Sequence, residues 1–248
     1  MSNKKYTHFG FQKIRRSNKS EKISQIFTSV SEKYDLMNSL MSFNIHKSWQ
    51  KFSLVKANIR PWHQVLDVAS GTGDMALLFL KNIGKECKLT LTDINNNMLE
   101  LAKKKIINYG VIPNISYIIS DAEQLPFPEN QFDCINISFG LRNVSDKIKC
   151  LKSMLRILKP GGRLLILDFS KPTGTISYFY YAYLFTILPL LGKIILNDEQ
   201  SYRYLAESIC VHPDQASLKK IIYSVGFDRV DFFNLSGGIA CLHMAYKY

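Results

Sequence analysis

The chain has 248 residues, a hydrophobic share of 46% and a formal net charge of +12. That length suits one α/β domain with a helical appendage, and the apolar share is ample for a core. The five cysteines, Cys87, Cys134, Cys150, Cys210 and Cys241, form no C-x-x-C pair, which argues against a disulfide framework or a zinc site and for a reducing compartment.

Residues 1–20 read as flexible, basic and without the apolar run of a secretory signal. Over residues 4–22, Lys4, Lys5, Lys13, Arg15, Arg16, Lys19 and Lys22 alternate with Tyr6, Phe9, Phe11 and Ile14, a pattern for a lid segment or a membrane-surface contact. A helix is expected from near Ser20, with Ile23, Ile26, Phe27 and Val30 as its core stripe, and a second from Ser42 to Ala57. After Pro61 the spacing predicts strand 64–69, helix 74–82, strand 88–92, helix 95–108, then strands 115–119 and 132–138. Helix 146–158 stops at Lys159-Pro160-Gly161-Gly162, and a strand follows over 163–169. Helix 214–225 precedes a strand pair, 227–234 and 239–247.

This alternation predicts an α/β fold: a doubly wound, seven-stranded, mostly parallel sheet with right-handed crossovers. It divides into an N-terminal helical cap (1–60), a cofactor-binding core (61–170), a helical insertion (171–212) and the C-terminal part of the core sheet (213–248). Pro172 to Gly192 carries no charged side chain. Pro189 and many central tyrosines favour a lid lining an apolar substrate pocket over a transmembrane helix.

Val65-Leu66-Asp67-Val68-Ala69-Ser70-Gly71-Thr72-Gly73-Asp74, then Leu89-Thr90-Leu91-Thr92-Asp93, read as strand, glycine turn, helix, strand, acid. That is the first βαβ unit of a nucleotide-type cofactor site. Asp93 is placed to accept from both ribose hydroxyls. Asp74 at the helix start would repel a dinucleotide pyrophosphate, and Asp67 also faces the loop. Two carboxylates suit a ligand with an ammonium and a sulfonium, S-adenosylmethionine. Asp74 also reads as a plain helix cap.

Tyr34-Asp35-Leu36-Met37-Asn38 through Ser42, His46 and Trp49 resembles the Y-D-x-M-N-…-S-x-x-x-H-x-x-W signature of the ubiquinone/menaquinone biosynthesis C-methyltransferases, the UbiE family. A second signature is similar across Arg156–Leu164 and Asp168-Phe169-Ser170, and further blocks at 121–127, 137–144 and 201–205 resemble the family too. The resemblance runs from about Thr7 to the C-terminus. Asp168 stands where the family usually has Glu, and Ile157 where it usually has Val. The family's cofactor contacts map onto Thr72, Asp93, the Asp121-Ala122 pair and Ser138, beside Asp67, Gly71 and Gly73 of the loop.

The resemblance implies methyl transfer to a ring carbon of a polyprenylated quinol: demethylmenaquinol to menaquinol, a methoxy-polyprenyl-benzoquinol to its methylated product, or both. Carbon attacks well only when a ring hydroxyl is ionised, so a base or a stabilising cation is needed, and no metal. Arg142 is the candidate for holding the phenolate, Asn143 for orienting a ring oxygen, and Tyr34, Asp35 and His46 for closing over the quinol. His46 is also a candidate proton acceptor, and His212 a weaker one. The family-like block at Thr7–Gln12 begins almost at Met1, leaving no room for a transit peptide. The expected setting is the bacterial cytoplasm, peripheral to the inner membrane, with transient membrane contact; contact with other quinone-biosynthesis proteins stays open. The alternative is another class I methyltransferase acting on a lipid-like molecule or on RNA. No RNA module or N-P-P-Y-type motif follows the fourth strand, so no nucleic-acid partner is expected.

Overall fold

The computed structural model describes residues 5–30, 38–39, 42, 44–83, 87–110, 114–196 and 198–248. The described chain begins with a hairpin, β1 (Tyr6–Phe9) and β2 (Gln12–Arg15), which leads directly into α1 (Arg16–Val30). The expected flexible start is therefore ordered from the hairpin onward, and tertiary contacts hold it. Phe9 stacks on Tyr204 at 4.4 Å, and the Thr7 hydroxyl donates to the Ser145 carbonyl at 3.2 Å. Arg16 is ion-paired with Asp146.

After α2 (Ile45–Ala57) the chain alternates regularly. The order is β3 (Gln64–Val68), α3 (Asp74–Ile83), β4 (Lys88–Asp93), α4 (Asn96–Asn108), β5 (Ile115–Ile119), β6 (Phe132–Ser138), α5 (Lys147–Ile157) and β7 (Leu158–Phe169). The helices start where side chains satisfy free N–H groups. Asn95 accepts from the N–H groups of Asn97 and Met98, and Asp146 from those of Ile148 and Lys149. The insertion follows: α6 begins at Thr175–Ala182 and continues through wider turns to Leu196, and α7 is Glu199–Val211. Then come α8 (Gln215–Val225), β8 (Arg229–Leu235) and β9 (Ala240–Tyr246).

The seven core strands lie in the order β5-β4-β3-β6-β7-β9-β8, and only β9 runs antiparallel to its neighbours. Alternate residues feed two cores, as in a sheet covered on both faces. Val65, Leu89, Leu91, Cys134, Leu165 and Leu167 join one cluster; Leu66, Val68, Ile135, Ile137, Leu164 and Ile166 join the other. The sequence places a turn at Pro160-Gly161-Gly162, but these residues stay within β7. The register against β6 jumps there, from Phe132↔Leu158 to Cys134↔Arg163, and Gly161 takes φ +80.

The chain leaves β3 toward β4 and β5, then returns to β6 on the other side of β3. This reversal opens a crevice at the carboxyl ends of β3 and β6, where open α/β sheets bind ligands.

Candidate functional site

Both loops at that crevice are tightly wound. Ala69 after β3 has φ 52 and Phe139 after β6 has φ 56, conformations a side chain adopts only when its surroundings hold it there. The two loops touch: a Cβ built on Gly140 would lie 2.8 Å from the Ala69 Cβ. Gly73 (φ +80) has the same role on the other flank, where a Cβ would meet Ala102 of α4 at 2.9 Å.

Asp93 at the end of β4 binds the loop itself. Its Oδ2 accepts from the Gly71 N–H and its Oδ1 from the Asn95 N–H, both at 2.9 Å. Burial raises its pKa, and the backbone donors of Asn95, Gly71 and Ile94 oppose that rise. The carboxylate keeps acceptor capacity for a ligand hydroxyl.

A cleft opens beside it at the carboxyl ends of the strands, where this kind of sheet takes its ligand. Gly71, Asp93, Asp121, Ala122 and Ser138 line it, with Asn143 at its far end. Asp121 also accepts from the Glu123 N–H at 2.8 Å, so it shapes its turn as well as the cleft. The opposite wall is α1, through Ser20, Ile23 and Phe27. Two of the residues expected as a plain core stripe are thus cleft residues. α1 is held in place at both ends. Lys19 Nζ donates to the Val144 carbonyl at 3.1 Å, and Asn95 Nδ2 donates to Thr28 Oγ1 at 2.9 Å. Burial, reinforced by Lys147, lowers the Lys19 pKa to about 7.

A second hollow shares Ala69, Gly71, Ser138 and Phe139 with the first and adds Asn38, Gln50, Asp67 and Thr72. Asp67 and Asn136 are cross-strand neighbours, and Asn136 Nδ2 donates to Asp67 Oδ1 at 2.7 Å. The other carboxylate oxygen, Oδ2, is buried without a partner. Burial, with Asp93 and Asp74 nearby, pushes the Asp67 pKa up to about 7 against the Asn136 bond. A buried, unsatisfied acid beside this hollow is the observation that fits a cationic ligand group such as the ammonium of S-adenosylmethionine.

Asp74 is not the bare charge its position implies. Lys105 of α4 binds its Oδ1 at 2.7 Å and reaches Thr72 Oγ1 at 3.3 Å. Asp74 therefore loses most of its weight against a phosphate, and the cofactor reading rests on Asp67 and Asp93. Nothing in the spacing marks Lys105, Gln50 or Asn38 as site residues beforehand, except that Asn38 belongs to the first signature.

The substrate-side candidates separate. Arg142 is not among the residues lining either hollow. Its guanidinium binds Asp168 at 2.8 Å and the Phe139 carbonyl, and lies over the Phe169 ring at 5.4 Å. Asp168 and the Phe139 carbonyl hold it against the loop that follows β6. Asn143 does line the cleft, and its Oδ1 accepts from the Tyr204 hydroxyl at 3.0 Å. What Asn143 has left to offer a ligand is its NH₂ donor. His46 is buried on α2, its Nδ1 2.6 Å from Ser42 Oγ, while Ser42 Oγ donates to the Asn38 carbonyl. Tyr34 and Asp35 lie outside the described residues. None of the described residues of 171–212 lines either hollow; Tyr204 reaches the cleft only through Asn143.

Comparison with known proteins follows the same lines. The model of the ubiE/COQ5 methyltransferase family matches residues 15–247. The chain belongs to that family. It is 54% identical over 245 residues, 98% of each chain, to a ubiquinone/menaquinone biosynthesis C-methyltransferase UbiE of Francisella tularensis subsp. holarctica. It is 51% identical over 243 residues to the protein of that name from Escherichia coli O1:K1 / APEC, covering 98% of this chain and 97% of the relative. Solved structures share the fold at lower identity. The [4+2]-cyclase SpnF superposes with a TM-score of 0.69 at 15% identity, over 92% of this chain and 96% of that one. A Thermotoga maritima SAM-dependent methyltransferase gives 0.65 at 18% identity, over 90% and 99%. The protein is an S-adenosylmethionine-dependent methyltransferase, with the seven-stranded sheet of its class.

Proposed function

We propose that this methyltransferase methylates a ring carbon of a polyprenylated quinol, in ubiquinone biosynthesis, menaquinone biosynthesis or both. The observation that carries the reading is the 54% identity, spanning 98% of each chain, to a relative named for that reaction. Bound S-adenosylmethionine supplies a methyl group already activated on a sulfonium.

The protein's own part is alignment and charge placement. Asp93 would hold the ribose of bound S-adenosylmethionine, Asp121 and Ala122 would border its adenine end, and Ser138 its methionine end. Asp67 would take the ammonium, whose charge would favour the ionised carboxylate. Asn143, oriented by Tyr204, donates its amide N–H to a ring oxygen and favours the phenolate. Arg142 is a positioning residue that fixes the Phe139–Asn143 loop through Asp168. His46, on α2 beside Ser42, is the proposed acceptor of the ring proton.

The enzyme acts in the bacterial cytoplasm and meets its substrate at the inner membrane face. The net charge of +12 supports an anionic surface as partner. The test is quinone profiling of a strain lacking the protein, with purified enzyme, S-adenosylmethionine and demethylated quinol beside it. Accumulated demethylated quinone and methylated product in vitro are expected. A normal quinone profile together with no product in vitro rejects the reading.

A further inference from the structure

The insertion presents its apolar side outward. Along α6, Tyr180, Leu184 and Leu188 fall on one ridge and are 9%, 1% and 0% exposed, packed into the core beneath the sheet. On the other side Tyr178 is 76% exposed, Phe179 71%, Leu190 54% and Ile194 71%. A surface helix of a soluble protein carries charge on that side. Here Pro172 to Gly192 has none. The patch continues onto the N-terminal hairpin, where Phe11, 58% exposed, stacks on Phe185 at 6.2 Å.

Thr175–Ile194 is long and apolar enough to cross a bilayer. Crossing would strip the Tyr180–Leu184–Leu188 ridge from the core, which leaves a helix lying flat. A large exposed apolar patch marks an interaction site, and the charges beside it say which kind. The hairpin next to Phe11 carries exposed Lys5, Lys13 and Arg15, and exposed Lys193 sits at the other end of α6. Three acids near the patch make contacts of their own. Glu207 accepts from the Phe11 N–H, Asp198 caps α7, and Glu199 pairs with Arg203. Aromatic and aliphatic side chains in the middle and cations at the rim are the features of an interfacial helix on anionic lipid.

We propose that the outward face of α6, with Phe11 and the basic hairpin, is a membrane-docking surface that lies in the headgroup layer of an anionic bilayer. It rests on the quinol reading only for its purpose, presenting the cleft to a substrate whose tail is in the membrane. The binding itself needs no substrate.

The test is sedimentation of the full chain with vesicles of phosphatidylcholine, with and without phosphatidylglycerol. Binding to the phosphatidylglycerol vesicles and release by high salt are expected. The double variant Tyr178→Ser/Phe179→Ser should bind at least roughly tenfold more weakly, since each change removes a buried ring from the lipid. Lys13→Glu should weaken binding roughly fivefold or more, on the anionic vesicles only. Both variants should keep wild-type circular dichroism and wild-type S-adenosylmethionine affinity by calorimetry. The aromatic variant should lose methylation of a long-tailed quinol in vesicles but not of a short-tailed, water-soluble one. Unchanged vesicle binding in the aromatic variant overturns the proposal, and so does a concentration-dependent dimer that the same variant abolishes, which makes the face a contact between copies. Resistance to both salt and carbonate overturns it in favour of a span. No activity on either quinol, with vesicle binding intact, faults the quinol reading and leaves the docking face standing.

Discussion

Arg142 and Asp168 form an ion pair inside the protein, Nη1 to Oδ1 at 2.8 Å, with side chains 6% and 3% exposed. Asp168 also accepts from the backbone N–H groups of Arg142 and Phe169. One carboxylate at the end of β7 thus ties down the loop that follows β6. Removing one partner of a buried pair leaves the other charge uncompensated, at about 3–5 kcal/mol. Asp168→Ala should destabilise the protein on that scale in urea unfolding, with lower turnover as the loop loosens. A loss under about 1 kcal/mol would show that the pair is not buried as described.

Asp93→Ala removes the acceptor facing the ribose as well as the Gly71 anchor. S-adenosylmethionine affinity should fall by about 1.5–3 kcal/mol, the range for hydrogen bonds to a charged group. Calorimetry with unchanged affinity would remove Asp93 from the cofactor site.

Asp67 makes the free enzyme sensitive to pH near neutrality. Its carboxyl is pushed up from 3.8 to about 7, so between those values the folded state holds a proton that the unfolded chain has released. Its contribution to stability therefore falls as pH rises through that window. Asp67→Asn should flatten this slope, raise the melting temperature of the cofactor-free protein at neutral pH and weaken cofactor binding. Binding to the wild type should release a proton near neutrality, seen as calorimetric heats that vary with the buffer's ionisation enthalpy. Buffer-independent heats would contradict the Asp67 assignment.

His212 has the opposite sign. Burial lowers its pKa from 6.5 to about 3, and neither ring nitrogen has a partner. Below 6.5 the unfolded chain takes up a proton that the folded protein refuses, so stability is lost as pH falls toward about 3. His212→Met should be near neutral at pH ~7 and more stable than wild type at pH ~5, because it replaces unsatisfied polar atoms with an apolar side chain. Denaturation curves at both pH values measure this. Equal acid sensitivity in the two proteins would mean that another group titrates.

The sheet was legible in the sequence because its strands are buried on both faces. Phe132–Ser138 and Arg163–Phe169 are apolar runs bounded by turns, and no other element suits them. The hairpin was not legible: Tyr6–Phe9 and Gln12–Arg15 are short and mostly polar, and Tyr204 and Ser145, far along the chain, hold them. For α1, periodicity revealed an apolar face but not what it faces, so Ile23 and Phe27 read as core. Asp93, Asp121 and Ser138 could be placed because each ends or follows a strand at the crevice. Arg142 could not, because its partner Asp168 lies on the next strand and the approach of the two exists only in the folded sheet.

The position of β9 has a consequence for assembly. It enters the sheet between β7 and β8, both of which precede it in the chain. Until it arrives, β7 is an open edge of unpaired backbone groups and β8 has no strand to join, and each is a template for pairing with another molecule. Five parallel strands can form during synthesis, but the closing insertion waits for the last strand. Until β9 pairs with both, the open edges of β7 and β8 favour pairing between nascent chains.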